Sequence, residues 1–198
     1  MAARQQHGFD YQNYVIDLLA LIPDDSYIGK NDAYCIERGG VNYPVQIKFI
    51  KKNSSIELGD YRRNKARDRE YALIVGFWKG LKGNISDEHI LYPPMDWWRY
   101  LFLTDDLFDN DLYSFLGNIS NDKSDDDRWK SGCKKFKKRW NDYWQQIRPE
   151  FEELYGYECP IRLIQPRFKR DHKKQKRIQC AIPYKLFYKF FVNGFFNK

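Results

Sequence analysis

Cysteines are few and scattered in this chain, histidines fewer still, and no apolar stretch is long. Cys35, Cys133, Cys159 and Cys180 form no CxxC pair and no Cys/His pair at the spacing of a zinc site. They read as reduced thiols, with Cys35 and Cys180 packed inside strands. His7, His89 and His172 are too dispersed to suggest a metal site. No apolar run approaches the roughly 20 residues needed to span a bilayer. The N-terminal segment MAARQQHGFDYQ lacks the continuous apolar core of a secretory signal. Internal repeats and low-complexity segments are also missing. Together these absences point to a cytoplasmic chain with no membrane partner and no disulfide framework.

What the chain does have is charge and aromatic mass. Hydrophobic residues make up 42% and charged residues 31%, a globular composition. The 198 residues suffice for a single domain spanning 1–198 with an appended part, and are short for two independent domains. A formal net charge of +7 with a pI near 9.1 suits a polyanionic partner. Aromatics reach 18%, most of them expected in the core, although Tyr and Trp also favour interfaces.

Along the chain, Tyr11, Val15, Leu18, Leu19 and Ile22 recur at helical spacing and predict a helix over 9–22, stopped by Pro23. Two β-rich runs, DAYCIER (32–38) and YPVQIKFI (43–50), flank Gly39-Gly40 and predict a hairpin. Residues 57–69 suit a short basic helix or loop. The run YALIVGFW (71–78) reads as a strand buried on both faces. HILY (89–92) suggests a further strand and MDWWRYLF (95–102) a helix. Residues 105–127 are acidic and polar, as expected of a surface loop or connector. From 128 to about 154 a helix is expected, with Trp129, Phe136, Trp140, Trp144 and Ile147 on one side. Its opposite side carries Lys134, Lys135, Lys137 and Lys138, which read as a solvated face. Two β-like stretches around DHKK predict a second, basic hairpin, and an aromatic helix near 184–196 follows.

Chemistry concentrates on the first hairpin. With a three-residue loop at 39–41, Asp32 faces Lys48 and Gln46 is its diagonal neighbour. Alternation then sends Asp32, Tyr34, Gln46 and Lys48 to one side and Ile47 and Phe49 to the other. Phosphodiester hydrolysis by an in-line water needs a hard divalent cation, oxygen ligands for it, and a cation for the developing charge. One carboxylate, one amide oxygen and one ammonium supply that set. A lysine between Ile47 and Phe49 in a largely buried strand also needs a partner or a function.

The order GFDYQNYVIDLLALI, NDAYCIE, VQIKF and then YALIVGFW resembles the PD-(D/E)xK nuclease superfamily, which includes many type II restriction endonucleases. The resemblance covers about residues 8–78. It implies an α/β fold in which a central mixed β-sheet is flanked by helices, here with an added basic C-terminal β-hairpin. On this reading residues 1–104 form a catalytic core, and residues 105–198 a helical insertion with the basic hairpin. The resemblance implies Asp32 and Gln46 as Mg²⁺ ligands, one or two ions being held, and Lys48 as the group orienting water or stabilising charge. Gln46 stands where the family usually has Asp or Glu, and a neutral amide holds a cation less strongly. Gln12 resembles the helix Glu or Gln that many members aim at metal-bound water. The literal Pro23-Asp24 match, with Asp25 beside it, leaves a second choice of metal ligand. No small-molecule cofactor is implied.

Two basic segments would hold double-stranded DNA. One contains Arg62, Arg63 and Lys65, followed by Arg67 and Arg69. The other contains Arg167, Lys169, Arg170, Lys173, Lys174, Lys176, Arg177 and Gln179. Such cations neutralise phosphates, and Arg167, Lys169, Arg177 and Gln179 are candidates for base readout. The expectation is a site-specific endonuclease acting as a homodimer, since two-fold symmetry matches a palindromic site. The alternatives are a nonspecific defence nuclease and a basic nucleic-acid-binding module without catalysis. Charge alone does not separate DNA from RNA, although RNA-binding aromatic motifs of the RRM kind are missing.

Overall fold

Helix α1 (Ala3–Leu18) begins earlier than periodicity predicts and also ends earlier. Ala20 takes a left-handed conformation, φ 49°, and the Leu21 N–H folds back onto the Ile16 carbonyl at 2.9 Å. That closure satisfies the carbonyls at the helix end and turns Leu21 into the core. Ile22 then belongs to a short strand, β1 (Ile22–Pro23), and is exposed. A computed structural model of the chain describes residues 3–24, 32–80, 84–95, 102, 106–156, 164–170 and 176–193. Asp25, Lys173, Lys174, most of the expected 95–102 helix and the end of the 184–196 helix lie outside the described residues, as do Cys159 and the Cys35 side chain.

The remaining strands are β2 (Ala33–Arg38), β3 (Val41–Lys51), β4 (Ile56–Asp60), β5 (Ala72–Trp78), β6 (Ile85–Leu91), β7 (Gln165–Arg170) and β8 (Lys176–Ile182). Further helices among the described residues include α2 (Tyr61–Lys65), α3 (Asp106–Asn118), α4 (Asp126–Tyr155) and α5 (Tyr184–Phe187), the last running on into a π-helical turn at Tyr188–Val192. The chain divides into two compact units, one of Met1–Ile56, Arg67–Met95 and Pro183–Lys198, the other of Glu57–Ala66 and Asp96–Ile182.

The first unit is a mixed sheet in the order β1-β2-β3-β5-β6, with β3 and β5 parallel and the other pairs antiparallel. Helix α1 covers one face: Tyr11, Val15, Ile16 and Leu21 pack with Val45, Ile47 and Ile74. Tyr11 stacks on Phe49 at 4.2 Å, and a Cβ at Gly76 would come within 2.3 Å of its ring, so only glycine admits this approach. The other face carries Phe77, against which Tyr184, Phe187 and Tyr188 pack. Strand β5 is buried from Ala72 to Phe77, as its unbroken apolar run predicts. The α/β class and the flanked mixed sheet thus follow the expectation.

The second unit contains a three-stranded sheet in the order β4-β8-β7 and the 30-residue helix α4. Phe136, Trp140, Trp144 and Phe151 of α4 are buried, as is Tyr61 of α2, edge-on to Trp140 at 5.2 Å. The acidic stretch expected to be a loop holds helix α3 instead. Among the described side chains Phe108 and Leu112 are buried and Phe115 packs on Phe136, apolar positions at helical spacing that the acidic and polar residues between them obscure in the sequence.

Candidate active site and basic surfaces

The β2–β3 hairpin turns on two residues, with Gly39 at φ 60° and Gly40 at φ 80°, a twist that favours glycine at both positions. Arg38 therefore faces Val41, and Ile36 faces Tyr43, one residue out of step with a three-residue loop. Left uncorrected, that step would send Asp32 to the opposite face from Gln46 and Lys48. A bulge corrects it: two residues, Tyr34 and Cys35, sit against Pro44, and beyond them Ala33 faces Val45. Pro44 has no N–H to offer the ladder, so the irregularity falls where pairing is already weakest.

The outcome is the convergence expected from alternation, reached by a different register. Asp32 Oδ2 accepts the Ile47 N–H at 2.7 Å and lies 3.4 Å from Lys48 Nζ. The two side chains are 28% and 22% exposed, so the pair is shielded yet reachable. Asp24, the alternative ligand, follows the Pro23–Ala33 pair, and its N–H donates to the Asp32 carbonyl at 3.3 Å. Its carboxylate accepts the Tyr34 hydroxyl at 2.9 Å. The two acids are therefore cross-strand neighbours.

Gln46 is held by a residue that sequence reasoning left in a charge run. Arg67 is 8% exposed, donates from Nη2 to Gln46 Oε1 at 3.1 Å, and stacks 3.8 Å from the Tyr71 ring centre. Burial lowers its pKa, while Tyr71 and the Asp32 carboxylate favour its charged form. Its Nε is buried without a hydrogen-bond partner among the described residues. Nothing local distinguishes Arg67 from Arg62, Arg63, Lys65 or Arg69. Gln12 is not brought to this group: α1 packs on the Val45, Ile47 and Phe49 face, and Gln46 and Lys48 point to the other.

The donor set suits a hard cation, since Mg²⁺ is commonly held by one or two carboxylates with water and phosphate oxygens. Asp32 with the Gln46 amide oxygen, and Asp24 alongside, provide oxygen of that kind. Among the described residues, no three or more His, Cys, Asp or Glu gather as a ready-made metal cage.

The second unit sorts the basic residues by face. In the β7–β8 hairpin, Arg167 faces Gln179 and Lys169 faces Arg177, so the four readout candidates share one side. Glu57 lies with them, 3.2 Å from Arg167 and 3.4 Å from Lys169. Arg177 Nε and Gln179 Oε1 are buried there without hydrogen-bond partners among the described residues. The opposite side holds Phe168, Ile178 and Cys180; burial pushes the Cys180 thiol up. Arg170 and Lys176 fall on that inner side and are tied down, Arg170 to Asp126 and Lys176 to the Ile119 carbonyl. In α2, Lys65 pairs with Asp109, the Arg62 guanidinium lies 3.5 Å from the Tyr113 ring centre, and Arg63 is exposed.

No described helix is long and apolar enough to cross a membrane. Compared with known proteins, the chain matches no protein-family model, no curated protein and no solved structure.

Proposed function

We propose that the chain is a Mg²⁺-dependent endonuclease of the PD-(D/E)xK kind that cleaves double-stranded DNA at specific sites, in the manner of a type II restriction enzyme, as a homodimer. The observation that carries the reading is the meeting of Asp32, Gln46 and Lys48 at one hairpin, with Lys48 Nζ 3.4 Å from Asp32 Oδ2. Asp32 and Gln46 would hold the cation, which when bound supplies Lewis-acid polarisation of the phosphate and an acidified water. Lys48 offers an ammonium to the charge that develops on the phosphorus oxygens, worth about 10²–10³-fold in rate for a well-placed donor. Arg67 positions Gln46 through its amide oxygen. The outer face of the β7–β8 hairpin supplies phosphate contacts and base readout.

A second reading, a binding module without catalysis, draws on the same contacts: Asp32 with Lys48 and Gln46 with Arg67 satisfy one another as a buried structural network would. Incubating unmethylated plasmid with the protein and Mg²⁺, beside Asp32→Ala and an EDTA control, separates the two. Discrete fragments lost in both controls are expected. Intact plasmid in every sample, with salt-sensitive gel shifts, would give the binding module the lead.

A further inference from the structure

A groove of about 690 Å³ runs along the outer side of α4 against Phe168 of β7. Lys130, Lys134, Lys137 and Lys138 line it on successive turns, with Asp142 as the sole carboxylate among its lining residues. Cys133, also in the lining, stays protonated, its thiol pushed up to about 11 by burial. Elsewhere in this unit several cations meet a carboxylate: Lys65 pairs with Asp109, Arg139 with Asp111 and Arg170 with Asp126, while Arg167 and Lys169 share Glu57. In the groove Lys138 meets Asp142, and Lys130 reaches only the fully exposed Asp127 at 3.6 Å. Among the described residues Lys134 and Lys137 form no ion pair.

Like charges three and four residues apart repel on a helix, so this row is relieved by a polyanion. Lys130 to Lys138 spans about 12 Å at roughly 1.5 Å per residue, the rise of three to four nucleotides at about 3.4 Å each. Trp129 at the groove already stacks on Phe115 and carries the Arg170 guanidinium 5.5 Å from its ring centre, so it is not free to take a base. Recognition here runs through phosphates.

We propose that the α4 groove is a sequence-independent binding site for the phosphate backbone of nucleic acid, separate from the β7–β8 outer face and from any cleavage. The test measures fluorescence anisotropy of a labelled duplex of unrelated sequence in EDTA, from about 50 to 200 mM salt. It compares the full chain, Lys134→Ala/Lys137→Ala, and a control of equal charge loss, Lys123→Ala/Lys185→Ala. The slope of log affinity against log salt is expected to shrink by about 2 in the groove variant, at roughly 0.9 per phosphate contact, and to hold in the control. Lys134→Gln/Lys137→Gln repeats the result with helix propensity preserved. An unchanged slope overturns the proposal, as does an equal loss in the control. Duplex binding kept while capture of polyglutamate is lost also overturns it, in favour of an acidic polypeptide. Because EDTA withholds the divalent cation that cleavage requires, plasmid cleavage and groove binding succeed or fail separately.

Discussion

At the level of single residues, Arg67 sits among five basic side chains between residues 62 and 69, and it alone of them is buried. A buried guanidinium persists where its donors are used and its plane is stacked, and Gln46 and Tyr71 provide both. Replacing Arg67 with Ala removes that packing and leaves Gln46 Oε1 without its donor, at an expected cost of about 2–4 kcal/mol. Arg67→Lys should recover only part of this, since an ammonium neither stacks nor forks. Urea unfolding of the two variants checks the order, and equal stability of Arg67→Ala and the parent chain would remove Arg67 from the support of the site.

At the level of elements, the end of α1 carries a measurable strain. Ala20 at φ 49° pays the steric penalty of the left-handed region, about 1–2 kcal/mol for an L-residue. Glycine there avoids it but loses unfolded-state entropy, so Ala20→Gly should stabilise by about 0.5–1 kcal/mol, readable as a higher midpoint of unfolding. Strand β6 is pinned by polar contacts on both faces of the sheet. Tyr11 donates to Glu88 at 2.6 Å, and Tyr188 donates to Asp87 beside His89. Burial works to raise the Asp87 carboxyl, but the Tyr188 hydroxyl and then His89 outweigh it and hold it below the usual 3.8. A carboxyl depressed in the folded state contributes stability above its unfolded value, and that stability is lost as pH falls through the folded value. Asp87→Asn should therefore be less stable than the parent at neutral pH, with the two curves converging below about pH 4. A stability difference that persists unchanged into acid would assign the loss to packing instead.

At the scale of the whole molecule, the units are interleaved in sequence yet carry separate cores, Tyr11, Ile47 and Ile74 in one and Trp140, Phe151 and Ile178 in the other. Phe151 is fully buried, and Phe151→Ala should cost about 3–5 kcal/mol within its own unit. Hydrogen exchange should then show lost protection confined to Glu57–Ala66 and the described part of Asp96–Ile182, while β5 amides exchange as before. Parallel loss in β5 would mean that the two units unfold as one.

The elements with strong local signals were legible in the chain itself. Gly39-Gly40 between two β-rich runs marked the first hairpin, the apolar run 71–78 marked the buried strand, and the spacing of Trp140, Trp144 and their neighbours marked α4. Alternation alone was enough to put Gln46 and Lys48 on one face, because side-chain direction in a strand is a local property. Its extension to Asp32 depended on more. A two-residue turn and a bulge at Pro44 are each one-residue offsets in the same direction, and only their sum, two residues, returns the carboxylate to the face of the lysine. The tertiary structure likewise decided that Arg67 is buried, that α1 packs on the face away from Gln46 and Lys48, and that residues 106–118 form a helix with Phe108 and Leu112 buried. It also decided which lysines of α4 pair with a carboxylate among the described residues. Periodicity reports the direction of a side chain relative to its neighbours in sequence. Burial, register offsets and charge pairing depend on what packs from elsewhere, and only the folded chain contains that.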